Sequence, residues 1–217
     1  MAGLRERKKQ RTRRALIEAA LRLFEEKGYA ETTLAEIAAE ADVSTRTFFS
    51  YFTSKEDLVF YDGQERLEKA LALLATRRPG EPPSALLVRL IDASFDWAAQ
   101  DGALTFEETE LRTRLVMTEP ALQARALLLL FDSQIKLAHA LHDAFPEEID
   151  LVEAATAVGA LFGSVKLAVV ANLEHDRSIE QIWETARRAA ELTLAGLRSI
   201  DEKAASRVRA DRPGMAS

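Results

Sequence analysis

The chain contains no cysteine, which excludes disulfides, thiolate metal sites and cysteine nucleophiles and fits a reducing compartment. Glycine and proline are scarce, 9 and 6 in 217 residues, and no segment alternates apolar with polar residues as a half-buried strand would. There is no phosphate-cradling glycine loop, dinucleotide fingerprint or nucleophile motif. No apolar core follows Met1 as it would in a secretory leader, so a cytoplasmic protein is expected. No internal repeat is visible. What is present is a composition 47% hydrophobic, enough to build a real core.

Acidic residues outnumber basic ones, 35 to 29, for a net charge of -6. Taken as an average, this speaks against a polyanionic partner, but the average conceals an asymmetry. Residues 1–55 hold 11 basic and 8 acidic side chains, whereas residues 56–217 hold 18 and 27. Within residues 1–14, seven basic residues stand against one acid. A basic arm on an acidic body marks one end of the chain as suited to a polyanion.

The periodicity predicts an all-α protein of about nine helices. The first runs over residues 5–27, with Leu16, Ile17, Ala20, Leu21 and Phe24 on one face and Gly28 as its stop. A short helix follows Thr32-Thr33 and ends near Ala41; a second starts at Ser44 and reaches about Tyr51. Ser54 caps a long helix over 54–76, with acids in its first turn. Arg77 to Pro83 is the strongest loop signal, and five further helices follow over 84–100, 103–118, 121–144, 149–174 and 178–199. The expected organisation is an N-terminal domain over 1–53, a helical body over 54–200 and a disordered tail over 201–217.

The informative stretch is Thr33 to Phe52. It reads as helix, tight turn, helix. Ile37 and Ala41 face inward, small Ala38 lets two helices cross closely, Asp42 makes the turn with Val43 tucked beneath it, and Phe48 and Tyr51 line the inner face of the second helix. These are the spacings of a helix-turn-helix, whose second helix enters the major groove. Thr45, Arg46, Thr47 and Ser50 are then free to face DNA, with Arg46 able to grip guanine O6 and N7. The hydroxyls of Thr33, Ser44, Thr45 and Thr47 suit phosphates, and Lys55 can reach the backbone as well. The basic arm, including Arg5, Lys9 and Arg13, suits phosphates or the minor groove. Read blandly, the same residues are two short helices with polar outer faces and a solubilising N-terminus.

The segment over about residues 10–58 resembles the DNA-binding domain of the TetR family. The resemblance rests on Ala19-Ala20, Leu23-Phe24, Gly28-Tyr29, Thr32-Thr33, Ile37-Ala38, Ala41, Val43-Ser44, Tyr51-Phe52, Ser54-Lys55-Glu56 and Leu58. Three positions depart from the family pattern. Asp42 stands where Gly is usual, and Asp tolerates the left-handed turn. Phe49, in the DNA-facing set with Tyr51, stands where most members have a Tyr whose hydroxyl often contacts a phosphate, a contact Phe49 cannot make. Arg46 replaces a common small residue. The resemblance implies a homodimer that binds double-stranded operator DNA, most often as a repressor, and is released by a small-molecule effector through movement of the 54–76 helix. The sequence leaves activator action open.

In the body, Ala154 to Ala171 carries one charge, Lys166, in eighteen residues. Its richness in Ala and Gly and its mid-span Lys166 argue for a covered soluble helix rather than a membrane span. Gly159 and Gly163 permit close approach of a neighbour, and the resemblance implies a four-helix dimer interface from the last two helices. Its expected members are Gly159, Gly163, Val170, Ile182, Ala186, Ala189, Thr193 and Leu197. The pocket candidates are Phe95, Trp97, Phe106, Leu111, Leu115, Met117, Phe131, Ile135 and Phe162, any of which is also an ordinary core residue by type. Arg112, His139 and Lys166 could meet a polar group. An apolar or amphipathic ligand follows, with no cofactor and no catalytic residue. Two alternatives stand beside this: a DNA-binding regulator without a ligand, and a metal-dependent enzyme using His139 and His142 with Glu107, Glu108 or Glu110.

Overall fold

A computed structural model describes residues 3–100, 106–173 and 179–196. Among these there is no strand. There are ten helices: α1 (Leu4–Lys27), α2 (Leu34–Glu40), α3 (Thr45–Phe48), α4 (Glu56–Val59), α5 (Gly63–Leu74), α6 (Pro83–Gln100), α7 (Phe106–Thr118), α8 (Pro120–Ala144), α9 (Leu151–Leu173) and α10 (Ile179–Gly196). The expected tail over 201–217 and the expected break near 175–178 lie outside the described residues.

The chain divides into two compact units. One comprises Met1–Gln64 with Glu107–Leu127, the other Glu65–Phe106 with Leu128–Ser217. The first unit thus runs past the expected boundary at residue 53 and takes in most of α7. The reason is apolar: Leu111, Leu115 and Leu122 are buried in one cluster with Leu16, Ile17, Phe24, Ile37, Phe48 and Leu58. The N-terminal three helices alone do not cover that face.

The second difference is a break in the long helix expected over 54–76. The structure interrupts it between Val59 and Gly63, giving α4 and α5. Leaving a helix frees carbonyls that need new donors, and two arginines supply them. Arg112 Nε donates to the Val59 carbonyl at 2.7 Å and its Nη2 to Asp62 Oδ1 at 2.7 Å. Arg13 donates to the Tyr61 carbonyl. The Tyr61 ring lies 5.6 Å from the Arg13 guanidinium and 4.7 Å from that of Arg112, so the break is clamped from α1 and α7.

The second unit has its own core, built on Leu74, Leu86, Leu90, Leu141, Phe145, Val158 and Leu161. The Arg77–Pro83 loop is tied down on both sides. Arg77 lies 3.9 Å over the Phe145 ring and donates to the Ala144 carbonyl at 2.9 Å. Arg89 holds Glu81 through two bonds of 3.0 Å. By length and composition α9 could cross a membrane, yet Ala154, Ala157, Val158 and Leu161 are buried in this core.

Candidate nucleic-acid interface

The site is built from local capping. Gly28, at φ 90, ends α1 and returns its N–H to the Phe24 carbonyl. The buried Thr32 hydroxyl donates to the Gly28 carbonyl at 2.8 Å. Thr33 and Glu36 form a reciprocal capping box at the start of α2. Asp42 takes φ 53, the left-handed conformation, and Val43 N–H reaches back to the Ala38 carbonyl at 2.9 Å. Ser44 then caps α3 by accepting from Thr47 N–H at 3.1 Å. Phe48 and Phe52 are buried beneath α3, so Thr45, Arg46, Phe49 and Ser50 face outward.

Arg46 is exposed, and among the described residues its guanidinium has no hydrogen-bond or ion-pair partner, leaving its donors for a ligand. Beside α3, the N-terminal turns of α1 and the helix-turn-helix enclose a cleft of about 820 Å³. Arg5, Lys8, Lys9 and Thr12, with one acid, Glu6, line one side and Val43, Thr47, Ser50 and Tyr51 the other. The arm and the recognition helix therefore form one basic, hydroxyl-lined surface, suited to a phosphate backbone.

Three members of the expected set are engaged inside the protein instead. Lys55 Nζ donates to the carbonyls of Tyr29 at 2.6 Å and Thr32 at 3.0 Å and sits 4.1 Å from the Tyr29 ring. It caps the end of the α1–α2 connection rather than standing free for phosphate. Arg13 is turned to Tyr61, as described above. The Thr33 hydroxyl is spent on Glu36, at 2.7 Å. Lys55 and Arg13 serve carbonyls distant in sequence, which periodicity does not reveal, whereas Thr33 and Glu36 stand at the local capping-box spacing. Lys8 belongs to the expected basic arm, whereas Thr12 enters the site unforeseen. Its signal was the i, i+4 spacing along α1, which puts it on the face of Arg5 and Lys8.

The expected effector residues divide between the two units. Phe131, Ile135 and His139 do share a shallow cavity of about 220 Å³ with Gln134, Ala138, Leu151 and Ala155, but Phe131 and Ile135 are each 57% exposed. Leu111, Arg112, Leu115 and Met117 lie on α7 within the first unit, where Leu111 and Leu115 are core and Arg112 clamps the α4–α5 break. Phe95, Trp97 and Phe162 pack against the second core, with the Arg187 guanidinium 5.6 Å from the Phe95 ring. Lys166 is exposed by surface area, yet the protein mass around its ammonium lowers its pKa from the ordinary lysine value by desolvation. The Phe106 side chain lies outside the described residues. His142 Nδ1 pairs with the Ile149 carbonyl at 3.0 Å while His139 opens on the shallow cavity. Among the described residues no group of three metal-ligating side chains forms.

The expected dimer stripe also divides. Ala186 is buried within the protomer, and Thr193 donates to Ser164 Oγ at 2.6 Å, joining α10 to its own α9. Ala189 and Val170 are half-buried. Gly159 and Gly163 meet no atom of the chain within 4 Å of where a Cβ would stand. The Ile182 side chain and Leu197 lie outside the described residues.

Among the described residues, this turn with its outward arginine and basic cleft has the form of a helix-turn-helix DNA-binding domain. Residues 16–61 match the model of the bacterial regulatory proteins, tetR family. Residues 16–61 thus form a DNA-binding domain of the TetR type. It is 39% identical over 133 residues to the HTH-type transcriptional regulator TcmR of Streptomyces glaucescens, covering 58% of this chain and 56% of that one. It is 33% identical over 121 residues to AcrR of Shigella flexneri, covering 54% and 51%. The chain thus spans about half the length of these relatives. In fold it is similar to SmeT, the repressor of a Stenotrophomonas maltophilia multidrug efflux pump. A SmeT–triclosan complex has TM-score 0.58 at 18% identity, over 85% of this chain and 90% of that one. The fatty acid degradation regulator FadR of Bacillus halodurans has TM-score 0.57 at 21% identity, over 86% and 96%.

Proposed function

We propose that the protein is a ligand-responsive transcriptional repressor, acting in the cytoplasm, that binds a palindromic operator as a homodimer. The observation that carries this reading is the exposed, unpaired Arg46 on α3 beside the basic cleft of Arg5, Lys8 and Lys9. One recognition helix reads only a few base pairs, and two held about 34–36 Å apart read a palindrome. The uncovered apolar faces of α9 and α10, with Val152 74%, Leu167 72% and Leu192 68% exposed, support a second copy as their cover. An apolar or amphipathic effector is favoured by the apolar residues of the second unit and by the triclosan held in the SmeT complex of similar fold.

Selection of bound fragments from genomic DNA tests this reading, repeated with apolar compounds present. A palindrome should be recovered and then lost with an effector. Arg46→Ala should weaken operator binding by ~1–3 kcal/mol and relax one base position per half-site. Recovery of a palindrome that no compound disturbs would instead make the protein a constitutive regulator.

A further inference from the structure

We infer that Phe49 reads a thymine in the operator through its 5-methyl group; this rests on the DNA-binding reading above. Phe49 is 56% exposed and is not part of the apolar cluster that buries its neighbour Phe48. Its N–H donates to the Thr45 carbonyl at 3.1 Å, one helical turn back, and Arg46 lies three residues before it. Thr45, Arg46 and Phe49 therefore share the outward face of α3. The ring is held edge-on to the Phe48 ring, with centroids 5.5 Å apart and planes at 86°, so its direction is set by the core. The neighbouring Ser50 hydroxyl is turned away to the Arg46 carbonyl at 3.3 Å and does not cover the ring.

A phenyl ring has no donor and no strong acceptor, so it cannot bond a phosphate or pair with the polar edge of a base. The thymine methyl is the apolar group that base edges present in the major groove, and Phe is among the side chains that contact it. Covering one methyl removes apolar surface from water on both partners. With Arg46 gripping a guanine, the same face would read a guanine and a nearby thymine, and neither contact could replace the other.

The test uses full-length protein and the selected operator. Each symmetric pair of thymines is replaced in turn by deoxyuridine, which removes only the methyl. One pair should weaken wild-type binding about fourfold per half-site, whereas Phe49→Ala should bind the thymine and uracil operators equally. Phe49→Leu, which keeps an apolar side chain, should retain part of the discrimination. Helix content should be unchanged in both variants. If no thymine methyl matters to the wild type, or if Phe49→Ala remains as methyl-sensitive as the wild type, the inference falls while an Arg46-dependent operator still stands. Failure to recover any operator would end both readings.

Discussion

Asp42 occupies the left-handed region at φ 53, a conformation that places Cβ near the following carbonyl and disfavours branched side chains. Only there can Val43 N–H turn back to Ala38 and close the corner between α2 and α3. Asp42→Val should lower stability by about 1–2 kcal/mol, read from urea unfolding. A second residue-scale device is at the start of α2. The Lys27 ammonium, with the Thr33 N–H and hydroxyl, holds the Glu36 carboxyl down to about 2 from 4.5. Depressed in the folded state, this carboxylate contributes stability above 4.5 that is lost as pH falls toward 2. A side-chain NMR titration should place the Glu36 midpoint near 2, and Thr33→Ala should move it upward.

At the scale of elements, the helix-turn-helix is the part most legible from residue order. Its caps, its turn and its inward aromatics all lie within twenty residues, so local chemistry suffices to specify them. The α4–α5 break is the opposite case. Asp62-Gly63 is a turn signal by type, but the donors that make the break tolerable come from α1 and α7. Arg112 and Asp62 are both mostly covered, at 15% and 17% side-chain exposure. Removing Arg112 withdraws its donors from the Asp62 carboxylate and the Val59 carbonyl. Arg112→Met should therefore cost about 2–3 kcal/mol in urea unfolding, well beyond an exposed ion pair such as Arg114–Glu110, where both side chains are about half exposed.

For the molecule as a whole, the residues left apolar and uncovered decide what must bind to it. Ala186 of α10, expected as a partner contact, is buried within the protomer, whereas Gly159 and Gly163 face open space. Gly163→Leu should then leave folding of one chain intact, since no atom stands in its way. If a partner helix packs there, the same change should turn a dimer into a monomer in sedimentation velocity. A dimer that persists would move the interface elsewhere on α9 and α10.

The order of residues by itself determined the helical class, the basic arm, the bihelical corner and the outward placement of Arg46, because each depends on periodicity or on partners a few positions away. Tertiary structure alone decided that Lys55, Arg13 and Arg112 serve carbonyls and carboxylates inside the first unit, and that α7 belongs to that unit. A long cationic side chain reaches many partners, and which one it takes depends on where distant backbone groups are stranded. That is a property of packing, which no local pattern carries.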